Sequence, residues 1–65
     1  MDRDKLIMLN KRDLVNHILD QISIIDKKRG YSSGVTTNQL TNYTKDVLVN
    51  IALTNNEYLK EYGGK

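Results

Sequence analysis

The stretch YTKDVLVNIAL, residues 43–53, decides how the whole chain is read. The chain contains no Pro, so nothing forbids a long helix here. On such a helix Val47, Leu48, Ile51 and Ala52 line one side, while Val49 and Leu53 point to another. A chain of 65 residues offers few neighbours with which to cover both sides. What covers the second side is therefore the question on which the reading turns.

Working upstream, Thr36 followed by Gln39 is a capping-box pattern and opens a helix over residues 38–53. Its inner face is predicted to be Leu40, Tyr43, Val47, Leu48, Ile51 and Ala52. With Leu40 as zero these fall between about −60° and +120°, whereas Val49 lies near 180° and Leu53 near 220°, at about 100° per residue. Downstream, Thr54 with Glu57 repeats the capping pattern beside two Asn residues. This favours a bend or break after Leu53 and a short third helix over about 55–62, against the alternative of a second helix that runs straight through.

The segment NKRDLVNHILDQISIIDKKRG, residues 10–30, is the clearest helix. Leu14, Val15, Ile18, Leu19, Ile22 and Ile25 recur at spacings of three and four and fall within an arc of roughly 140°. Asn10 and Asp13 are placed as a capping box. Lys27, Lys28 and Arg29 sit where cations favour a helix C-terminus, and Gly30 is a natural stop. His17, the one His, is expected in solvent at the edge of the polar face. GYSSGVTTN (30–38) reads as a loop pinned by Val35. DKLIMLN (4–10) stays open: its apolar run fits a helical lead-in or a strand pairing with a second subunit.

The expected architecture is thus all-α, one small domain over residues 1–65: a helical hairpin of about 10–29 and 38–53 with the short helix 55–62. An internal echo runs through it. Lys11, Leu14, Val15, Asn16 and Leu19 recur 34 residues on as Lys45, Leu48, Val49, Asn50 and Leu53. A duplication would produce this, and so would two amphipathic helices drawn from one small alphabet.

Burying a Leu, Ile or Val contributes about 1.5–3 kcal/mol, against about 1.5 kcal/mol for ordering each residue. Chains this short sit near balance and usually need a staple. The absence of Cys excludes disulfides, thiolate chemistry and most zinc sites. Association remains, and the off-stripe residues Ile24, Val49 and Leu53 are the predicted partner-binding or homodimer surface.

No catalytic constellation is visible, since one His, no Cys and no phosphate loop leave nothing convergent. No enzyme, metal or cofactor is expected. The net charge of +2 is uneven: residues 1–30 hold seven of the ten Lys and Arg. Lys11, Arg12, Lys27, Lys28 and Arg29 are the candidate phosphate contacts. ISIIDKKRGYSS resembles the first-helix end and turn of ribbon-helix-helix repressors, with KLIMLN as their strand, although the loop before residue 39 is longer than theirs. That resemblance implies a dimeric DNA binder. The hairpin layout is also similar to the small aspartyl-phosphate phosphatases of sporulating bacteria. Their Ser-Gln-Glu-Leu-Asp motif falls on NYTKD (42–46), where Asp46 alone agrees and the activity is not carried over.

The expected function is regulation by binding another protein, as an inhibitor or adaptor, or by homodimerisation. The abundance of Lys, Asn and Ile suits an AT-rich genome, where proteins this short are often phage, plasmid or stress regulators. The alternative is a dimeric DNA-binding transcriptional regulator. The short apolar runs predict neither a signal peptide nor a membrane span, hence a cytoplasmic protein without membrane or small-molecule partners.

Overall fold

Asn10 begins the longest element. Its backbone is extended and its side chain accepts a hydrogen bond from the Asp13 N–H at 2.8 Å. The helix it caps runs Lys11–Arg29 and ends at Gly30, whose φ of +82° lets its N–H reach the Asp26 carbonyl at 2.8 Å. This computed structural model describes residues 3–30 and 32–63, with side chains to Glu61. Its elements are α1 (Arg3–Met8), α2 (Lys11–Arg29), α3 (Thr37–Thr41), α4 (Lys45–Tyr58) and a closing π-helical turn (Leu59–Gly63). The fold is all-α, with a helical hairpin of two long arms, and no strand occurs among the described residues. Residues 4–10, left open above, are therefore helical up to Met8.

The second arm departs from the expectation of one helix over 38–53. Thr36 does form the full capping box: its hydroxyl accepts from the Gln39 N–H at 3.3 Å, and its N–H donates to Gln39 Oε1 at 3.2 Å. That helix stops at Thr41, where the N–H groups of Asn42 and Tyr43 fold back onto Gln39 and Leu40 carbonyls. Thr44 then caps a new helix, accepting from the Val47 N–H at 3.4 Å. The expected break after Leu53 is absent. Thr54 donates back to the Asn50 carbonyl at 3.0 Å inside α4 instead of capping anything. The expected short terminal helix is a continuation of α4 into the π-helical turn.

Packing explains why the break falls where it does. The turn at 42–44 folds α3 back against α2, which buries Leu40 almost completely. α1 packs on α4 and brings Leu6 into the same core cluster as Val49. The second side of α4 is thus covered by the chain's own first helix. α1 makes little contact with α2, and α3 little with α4.

These relations repeat at one interval, the 34 residues that separate Gln21 from Asn55. The same interval carries α1 onto α3, cap Asn10 onto cap Thr44, and the start of α2 onto the start of α4. It pairs Leu6 with Leu40, Leu14 with Leu48, Val15 with Val49 and Ile18 with Ala52, all buried. Asn16 and Asn50 are both exposed, and Leu19 and Leu53 both half-buried. A short helix, a turn and a long helix therefore follow one another twice, in residues 3–30 and 37–63. Each short helix lies on the long helix of the other half.

Candidate partner-binding surface

The three residues predicted to form a partner surface do not come together. Val49 is 4% exposed and belongs to the core, which corrects its assignment to the outside of α4. Leu53 is half-buried and packed on that core. Ile24 alone remains at the surface, at 49% exposure on α2. The reason is α1, which packs on α4 and brings Leu6 into one core cluster with Val49.

A different apolar surface is present on α4. Tyr43 and Val47, expected on the inner face, are 43% and 40% exposed. Tyr43 lies in the turn before α4 and Val47 in its first turn, with half-buried Ile51 one turn beyond Val47. Val47 and Ile51 join Asn50, Thr54 and Asn55 around a shallow groove of about 280 Å³. Among the described residues no charged side chain lines it. Restarting the helix at Lys45 turned these side chains outward. The sequence signal that could have found this was the echo itself, which places Thr44 opposite the cap Asn10. Ile7 and Met8 on α1 are exposed as well.

The cations remain in solvent: Lys11, Arg12, Lys27, Lys28 and Arg29 are all exposed. Lys11 and Arg12 share a cleft of about 290 Å³ with Val15, Asn16, Thr37 and Thr41, between the start of α2 and α3. The other cluster lies at the far end of α2, roughly 24 Å away at 1.5 Å per residue. Arg29 turns back on Tyr58, its Nε donating to the hydroxyl at 3.3 Å and its guanidinium carbon 4.9 Å from the ring centroid. Charge follows the 34-residue interval only in part: Lys11 matches Lys45, whereas Arg12 and Lys27 match Asp46 and Glu61.

Between the two long helices lies a polar contact that the sequence did not disclose. Gln21 is 4% exposed, in the middle of the α2 stripe. Its Nε2 donates to the Ala52 carbonyl at 3.1 Å and to Asn56 Oδ1 at 2.7 Å, and its Oε1 accepts from Asn55 Nδ2 at 3.2 Å. One turn earlier, His17 is half-buried rather than solvated, with Nε2 buried and without a partner among the described residues. Asp26 pins the loop after α2, its Oδ2 accepting from the Ser33 N–H at 3.0 Å and hydroxyl at 3.1 Å. Among the described residues no three His, Asp or Glu are grouped so as to hold a metal ion, and no helix is long and apolar enough to cross a membrane. Compared with known family models, curated proteins and solved structures, the chain matches none.

Proposed function

We propose that this protein is a small non-enzymatic regulator that acts by binding another protein through the α4 surface. The observation that carries the reading is the exposed pair Tyr43 and Val47, with Val47 and half-buried Ile51 lining a groove whose described residues carry no charge. Interface centres are depleted in charge and enriched in Tyr, which matches this composition. A helix that presents an apolar stripe of its own fits such a groove.

DNA binding is the second reading, and the cleft with Lys11 and Arg12 is the observation in its favour. Against it, the two cation clusters lie at opposite ends of α2, roughly 24 Å apart at 1.5 Å per residue, so one chain does not focus both on one stretch of backbone. A photo-crosslinking residue placed at Val47, with one at Lys28 as comparator, tests the choice in the native cell. The expected result is a discrete protein adduct from position 47 that is lost when Tyr43 becomes Asp. The alternative predicts nucleic-acid adducts from position 28 and an affinity falling with salt by about 0.9 log units per neutralised phosphate.

A further inference from the structure

We propose that the surface joining the two halves is also a self-association surface, and that its partner is a second copy of this chain with the halves exchanged. Residues 3–30 of one chain would then pack on residues 37–63 of the other, and the loop between them would act as the hinge. The packing motivates this directly. α1 lies on α4, α3 on α2, and α2 on α4, so every substantial contact between α-helices runs from one half to the other. Neither half has a core of its own. Buried Leu6, Leu14, Val15 and Ile18 come from the first half, and Leu40, Leu48, Val49 and Ala52 from the second. A half cannot distinguish its covalent mate from the identical half of another chain, because the buried faces are the same.

The loop decides which mate is used. It leaves α2 at Gly30 and must deliver Thr37 beside Val15 and Asn16, where α3 packs. Along the α2 axis that return is about 21 Å at 1.5 Å per residue. Ser32 lies in one groove with Asp26 and Val35 in the same groove with Leu19 and Ile22, so the loop runs back along α2. Gly30 through Thr36 reach about 25 Å when fully extended. Closure onto the same chain is therefore close to the limit of the linker. While it closes, the tether favours the covalent mate over a second chain in dilute solution, and a taut tether narrows that advantage. Shortening the loop removes that advantage without touching the interface.

Two full-length variants test the exchange without relying on either one folding alone. Leu14→Asp with Ile18→Asp disables the first half, and Leu48→Asp with Ala52→Asp disables the second. Each alone is expected to lose its helical signal. Mixed in equal amounts, they should recover about half of the wild-type helical signal per chain, with a mass of two chains and a dependence on concentration. A mixture whose spectrum is the sum of its parts overturns the proposal. Independently, deletion of Ser32, Ser33 and Gly34 should convert the protein to a dimer with wild-type helicity. A deletion variant that stays monomeric at every concentration, folded or not, overturns it as well.

Discussion

Gln21 and Asn55 hold the same position in the two halves and are hydrogen-bonded to each other, Asn55 Nδ2 donating to Gln21 Oε1 at 3.2 Å. Satisfied buried polar contacts of this kind fix register between helices. Gln21→Ala would leave Asn55 and Asn56 without that partner and is expected to cost about 1–3 kcal/mol by denaturant unfolding. The cycle of Gln21→Ala, Asn55→Ala and the pair should show a coupling of about 0.5–3 kcal/mol. Additive losses would mean that the bond contributes nothing to register.

The unequal pair Ile18 and Ala52 gives a test of the repeat by exchange. Ile18→Ala should cost about 2–5 kcal/mol from the cavity left in the core. Ala52→Ile should cost about 1–3 kcal/mol through overpacking. If the halves are equivalent, the double variant places the same two side chains in mirrored positions and is more stable than Ile18→Ala alone. A double variant at least as unstable as the sum of the singles would count against equivalence.

Thr44 and Thr54 look alike in the sequence, but only Thr44 caps a helix. Thr44→Ala is expected to lose about 1 kcal/mol of stability. Thr54→Ala, which removes only a back-bond to the preceding turn, should be neutral or slightly stabilising. Equal losses in thermal unfolding would place a helix start at both.

His17 occupies the position that Ile51 holds in the second half, with one ring nitrogen buried and without a partner among the described residues. Replacing an unpartnered buried polar group by an apolar one of similar size removes its desolvation penalty. His17→Leu should therefore raise stability by about 1 kcal/mol, read as an upward shift of the denaturation midpoint. A lowered midpoint would indicate that the nitrogen has a partner in solution.

Two neighbouring valines separate folding from recognition. Val49→Lys puts a charge into the core and should abolish the helical circular dichroism signal. Val47→Lys lies on the exposed groove, so helicity should be unchanged within about 0.5 kcal/mol of stability. Under the proposed function it should nevertheless abolish partner capture. Capture retained by Val47→Lys would remove the α4 groove from consideration.

Local signals in the sequence were enough for the elements that depend on them. The stripe from Leu14 to Ile25, the stop at Gly30 and the capping box of Thr36 and Gln39 each rest on residues within a turn or two of one another; α2 and the helix start after Thr36 are present, although that helix stops at Thr41. The hairpin and the all-α class followed from these. Non-local packing decided the rest. Thr44 and Thr54 offer the backbone similar caps, and α4 starts at Lys45 because a turn there lets Leu40 reach α2 while Leu48 and Val49 stay in the core. Residues 4–10 carried too few apolar positions to declare a period, and α1 forms because Leu6 finds the uncovered side of α4. That placement took Val49 out of the surface and left Tyr43 and Val47 on it. A side chain's helical angle is set by the sequence around it, but which angles face water is set by whatever other helix arrives, and here that helix came from the other half of the same chain.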